Sequence, residues 1–255
     1  MVISEYNEQL DPYFSARQII EKFDVLLSVF GEKITQPEFK HARELFGGAV
    51  TALGAYELSE ENKYYVQLNK QNSSFDVMGA KRTKQTDGSV LLELTQMEIT
   101  ELEEHFKTGD IIEFLKATKL SPRKSYNDKT MIVCVVNRLV SYNHKEIGRR
   151  IAEIKPKSSV FITGRVDGVV GEPQGSFVIF QAWSLLTKPL QFNVNETMQK
   201  FELQSPITLR LDMQDKMEPA NLGKISIFDI FGLDEEKIKK KYERELKRMI
   251  PKSEV

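Results

Sequence analysis

The stretch Ser73–Ile99, SSFDVMGAKRTKQTDGSVLLELTQMEI, sets the architecture of the chain. Phe75–Lys81 and Val90–Met97 read as two β-strands joined by a polar loop that carries Asp87-Gly88, so the stretch is a hairpin or short meander. Side chains alternate along a strand. That puts Val90, Leu92, Leu94 and Gln96 on one face and Leu91, Glu93, Thr95 and Met97 on the other. Glu93 is out of place, because an unpaired carboxylate in so apolar a run costs several kcal/mol to bury. It is therefore neutralised by a partner or turned into a wet cleft, and the face that bears it is the candidate site. Glu98 and Gln96, near the strand end, reach the same cleft or cap the helix that follows.

On either side of this stretch the chain alternates helices and strands. Phe14, Ile19, Phe23 and Leu26/Leu27 recur at helical spacing within 4–31, with Gly31 as a stop. Pro37 opens a second helix with an apolar stripe of Phe39, Ala42, Phe46, Ala49, Val50 and Leu53; Gly47-Gly48 weakens it by about 1 kcal/mol per glycine unless close packing compensates. Tyr64–Leu68 is a first strand. Thr100 with Glu103, and Asp110 with Glu113, have the spacing of a helix cap and its reciprocating glutamate, and Pro122 ends the helical region. Thr130–Val136 is the continuous apolar run of a central strand, and Lys145–Ile154 is a short helix. Beyond it, Ser159–Val166, Ser176–Leu186 and Ile207–Leu211 read as strands, with a Gly-rich turn at 167–175, and 234–250 as a charged helix. The expected fold class is α/β, a mixed sheet flanked by helices, with residues 1–155 as a helical N-terminus and α/β core and 156–255 as a β-rich extension packed on it.

Composition narrows the function. The 255 residues carry 36 Lys and Arg against 37 Asp and Glu, so net charge implies neither a nucleic-acid binder nor an acidic partner, and only local patches inform. The single cysteine, Cys134, lies in an apolar run and excludes an intramolecular disulfide or a multi-thiolate zinc site. His41, His105 and His144 lack metal-ligand spacing. A phosphate-binding glycine loop, a serine nucleophile elbow and a dinucleotide fingerprint are all absent. With no long apolar segment or signal-peptide pattern, a soluble cytoplasmic protein is expected.

The order helix, three strands, helix, strand, with Ser74-Phe75-Asp76 entering the second strand and Leu92-Glu93-Leu94-Thr95 inside the third, resembles the PD-(D/E)XK nuclease superfamily, the restriction-endonuclease-like fold, over about residues 37–136. The resemblance implies a magnesium-dependent DNA endonuclease, a hydrolase of phosphodiester bonds in a restriction or host-defence setting. It places the Mg²⁺ ligands at Asp76 and Glu93, with Glu44 of the preceding helix as a third, and Thr95 where the family has its lysine. A threonine hydroxyl orients a water but brings no positive charge. Lys119, Lys124, Lys129 and Lys81 are the lysines available to replace it.

Hairpin register tests the pairing. A tight Asp87-Gly88 turn, which the Asp-Gly pair favours, sets Asp76 opposite Ile99, about 20 Å from Glu93, whereas a wider loop sets Asp76 opposite Glu93, the arrangement the nuclease resemblance requires. Arg123, Lys124, Tyr126 and Lys129, after Pro122, form a candidate contact to a DNA backbone, with Tyr126 stacking on a base. The competing readings are a non-catalytic nucleic-acid-binding module on the same core and an assembly protein whose β-rich half makes an interface. Whether the chain is an enzyme stays open at this point, as does whether it forms a homodimer.

Overall fold

The structure, a computed structural model, describes residues 12–61, 63–69, 75–84, 86–88, 90–102, 109–137, 142–166, 175–200, 207–209, 217–219 and 225–243. Its strands are β1 (Pro12–Ser15), β2 (Tyr64–Leu68), β3 (Val77–Lys84), β4 (Val90–Leu102), β5 (Thr130–Val136), β6 (Ser159–Arg165), β7 (Ser176–Trp183), β8 (Leu190–Asn193), β9 (Ile207–Leu209) and β10 (Met217–Pro219). They form one mixed sheet in the order β10-β9-β1-β2-β3-β4-β5-β6-β7-β8, in which β4-β5 and β5-β6 are parallel and the other pairs antiparallel. The helices are α1 (Ala16–Phe30), α2 (Lys40–Leu58), α3 (Ile111–Thr118), α4 (His144–Ile154), α5 (Val194–Lys200), α6 (Ile227–Ile230) and α7 (Glu235–Lys241).

β5 is buried on both faces. Met131, Val133 and Val135 join a core with α1 and α2, while Ile132, Cys134 and Val136 join a second core with α3 and α4. Alternation along an extended chain thus splits one apolar run between two layers. Burial also pushes the Cys134 thiol up to about 12, so it packs as a small hydrophobe. α2 lies directly on the sheet through its glycines: a Cβ on Gly47 would stand 2.8 Å from Val135 Cγ2, and one on Gly48 would stand 3.1 Å from Val77 Cγ1. That close approach is the compensation a glycine pair in a helix requires.

Ser15 and Gln18 form a capping box that starts α1 after a strand, so the helical reading of Phe14 is corrected: that residue lies in β1. α1 ends at Gly31, whose φ of +53 favours glycine. Thr100 caps no helix, because β4 runs on to Leu102 against β5; Glu103 lies outside the described residues. Asp110 does cap, accepting from the Ile112 and Glu113 N–H groups. Residues 167–174 of the Gly-rich turn and 244–250 of the last helix lie outside the described residues.

Candidate active site

The β3–β4 register pairs Val77 with Met97 and Lys84 with Val90, which sets Asp76 level with Glu98. The backbone reinforces it. The Asp76 N–H donates to the Met97 carbonyl at 3.0 Å, and the Ile99 N–H donates to Asp76 Oδ2 at 2.8 Å. β5 pairs with β4 only from Gln96 onward, so the Val90–Thr95 half of β4 extends past β5 and is paired on its β3 side alone. The apolar appearance of that half is misleading, since Leu91 is 48% and Leu94 36% exposed.

Two expectations are corrected here. Glu93 is exposed and lies opposite Lys81, five residues from Glu98 along β4 or about 17 Å. An exposed carboxylate needs no partner, so its place in an apolar run carries no desolvation cost. Thr95 shares a hydrogen bond with Tyr64 of β2, on the face opposite Glu98, and takes no part in a site with Asp76. The site lies instead on the Gln96–Glu98 face, and the tight-turn register came within one residue of predicting its pairing. The residue two beyond Glu98 is Thr100, so neither strand acid is followed by a lysine.

A lysine reaches the two acids from the end of α3. Asp110 begins that helix, and Arg150 of α4 clamps it by pairing with Asp110 at 2.6 Å and Glu113 at 3.1 Å. Lys119 sits at its C-terminal cap, just ahead of Pro122. From there Lys119 Nζ donates to Glu98 Oε2 at 2.5 Å and to Asp76 Oδ2 at 3.2 Å. The Tyr126 O–H donates to the same Glu98 oxygen at 3.3 Å. Side-chain exposures of 13% for Lys119, 20% for Asp76 and 7% for Glu98 describe a recessed group that solvent still reaches. Among the described residues, no donor bonds Asp76 Oδ1 or Glu98 Oε1.

Glu44 of α2 is buried and held by Lys40 at 3.1 Å and His41 at 3.0 Å. It is therefore no solvated helix residue. Burial raises its pKa, but the His41 hydrogen bond and the Lys40 charge overcome this and hold it low, while the Glu44 contact raises His41. Asp76 goes the other way: burial first, then the charges of Glu44 and Glu98, push it above the ordinary carboxylate range despite Lys119. Burial pulls Lys119 down, but Asp76 and Glu98 more than reverse this, so it stays an ammonium. The charged form of Lys119 is thus favoured and that of Asp76 disfavoured: the ammonium has two carboxylates, Asp76 and Glu98, while Asp76 shares that one cation with Glu98 and also feels the charge of Glu44, which leaves it short of positive charge.

That deficit bears on whether a cation fits. Among the described residues, no three His, Cys, Asp or Glu side chains converge as a ready-made metal cage. Magnesium does not require one, since it is commonly held by one or two carboxylates with waters and substrate phosphate completing an octahedron. Asp76 Oδ1 and Glu98 Oε1 are hard oxygen donors of that kind, and Asp76 is the acid short of positive charge.

Arg123, Lys124 and Lys129 are exposed on the α3–β5 loop, and Tyr126 of that loop reaches the acid pair. Beside Tyr126 lies an open depression of about 600 Å³ lined by Ser125, Tyr126, Asn127, Asp128 and Lys157. No protein family, curated protein or solved structure matches the chain.

Proposed function

We propose that the chain is a magnesium-dependent DNA endonuclease built on a restriction-endonuclease-like core, with Asp76 and Glu98 as the ligands, Lys119 as the catalytic cation and Glu44 as a nearby acid that tunes Asp76. The observation that carries this reading is the pair of recessed carboxylates, level on adjacent strands, sharing the ammonium of Lys119. The run α2, β2, β3, β4, α3, β5 supports it, with β2–β4 antiparallel and β5 parallel to β4. When bound, magnesium would offset the charge that grows on the phosphate. Hydrolysis adds water to phosphorus and breaks one P–O ester bond. One water proton is released and the leaving alkoxide takes one up. Lys119, held protonated, donates to the phosphoryl oxygens as their charge rises and does not act as a base. Glu98 and Tyr126 hold Lys119 and one another in place.

The test is plasmid cleavage in magnesium by the wild type and by Glu98→Gln, Asp76→Asn and Glu93→Ala. The first two lose at least a hundredfold in rate, and Glu93→Ala cleaves within twofold of wild type. Cleavage that survives Glu98→Gln overturns the assignment. The closeness of Lys119 to Glu98 favours a second reading, a binding module in which the ammonium stands in for the metal. That module binds DNA in a salt-dependent way with no turnover in magnesium.

A further inference from the structure

Two loops meet beside the acid pair. Ser158 Oγ donates to the Asn127 carbonyl at 2.8 Å, joining the segment after α4 to the α3–β5 loop, and Asn127 Oδ1 in turn accepts from the Lys129 N–H and the Thr130 hydroxyl. The Trp183 indole N–H holds the Pro156 carbonyl at 2.7 Å from the other side. These bonds fix a shelf on which Arg123, Lys124, Lys129, Lys155 and Lys157 are exposed. Elsewhere many surface cations are paired, as in Arg17–Glu21, Lys200–Glu57 and Lys241–Glu38. Among the described residues, none of these five exposed cations has an acidic partner, and the depression itself is lined by one cation, Lys157, and one acid, Asp128.

Tyr126 links this shelf to the site. Its ring is half-buried, packed against the α3–α4 core on one side and lining the depression on the other, while its O–H is fixed on Glu98. A fixed aromatic face among cations can stack on any base and leave phosphates to the lysines. A base paired inside a duplex cannot present its face to a ring recessed in this way, whereas an unstacked base can. Resting on the nuclease reading above, we infer that the depression at Tyr126 and Lys157 is the seat for the strand to be cut, receiving a nucleotide that has left its stack, and that the substrate class is single-stranded or locally unpaired nucleic acid.

The probe is a short fluorescent oligothymidylate and the same strand annealed to its complement, titrated by anisotropy in EDTA so that no turnover occurs. The wild type binds the single strand about tenfold more tightly than the duplex. Tyr126→Leu, which keeps an apolar body on the core, weakens single-strand binding about tenfold. Lys157→Ala, an exposed change without bearing on folding, lowers the slope of log affinity against log salt by about 0.7. Lys22→Ala, on the exposed face of α1, binds as wild type does. Equal affinity for the two probes, or wild-type binding by both Tyr126→Leu and Lys157→Ala, overturns the seat. Strand binding through these residues with no cleavage in magnesium would leave the seat standing and remove the hydrolase. Cleavage with binding indifferent to both variants would do the reverse.

Discussion

Replacing Lys119 with methionine tests the centre of the site without depending on an identified substrate. Lys119 bridges two recessed carboxylates at 2.5 and 3.2 Å, and Glu98 has in addition only the Tyr126 hydroxyl among the described residues. Removing one member of a buried ion pair typically costs about 3–5 kcal/mol, because the remaining charge stays in a low dielectric. Methionine keeps the volume of the stem, so the loss is electrostatic. For a chain of this size about 1 kcal/mol corresponds to about 2 °C in Tm, so Lys119→Met should melt about 6–10 °C below wild type in EDTA. Magnesium should then return part of the loss. A ligand at a hundredfold excess over its Kd stabilises by about 2.7 kcal/mol, or about 5 °C. The gain should exceed that of the wild type, where the ammonium repels the ion. Differential scanning fluorimetry in EDTA and across a magnesium titration carried to saturation reads both effects. A variant that melts within 1 °C of wild type in EDTA, or gains no more from magnesium than Glu98→Gln does, would rule out this electrostatic account.

Asp76→Asn should separate stability from function. Burial and the Glu44 charge hold the Asp76 carboxyl above its ordinary value of 3.8. A raised carboxyl favours the fold while protonated, below the unfolded value, and that contribution is lost as pH rises through the folded pKa. The metal-free variant should therefore melt higher than wild type at pH 8, with the difference shrinking toward pH 4 and the magnesium response gone; a lower Tm at pH 8 would contradict this. Gly54→Ala tests the seating of α2. Its Cβ would stand 2.9 Å from both Ile179 Cδ1 and Ile179 Cγ2 and 3.0 Å from Phe192 Cε1, so overpacking should cost about 1–3 kcal/mol by chemical denaturation, where helix propensity alone predicts a gain.

Much of the architecture follows from local sequence. Tyr64–Leu68, Thr130–Val136, Asp110 as a cap and Gly31 as a stop depend on periodicity and on backbone chemistry that neighbours in the chain dictate. β1, β8 and β10 carry no such signal, being three or four residues long and defined only by the strands they pair with. At the site, sequence picks out Asp76, the Asp-Gly turn that governs register, Glu44, and Lys119 as one of several lysines. It does not pick Glu98 over Glu93, because an apolar run looks the same whether it crosses a core or outruns the neighbouring strand. The start of β5 at Thr130, opposite Gln96, makes that difference.

Local pattern therefore specifies which segments are the longer strands and helices, since the order of side chains is a property of the chain. The folded arrangement selects which carboxylate meets Asp76 and which lysine meets both. Register, the length of the neighbouring strand and the direction of α3 fix those meetings between residues up to 43 positions apart in the chain. Burial then does what no local pattern records, placing two acids on one ammonium within reach of the Glu44 charge and leaving Asp76 short of positive charge.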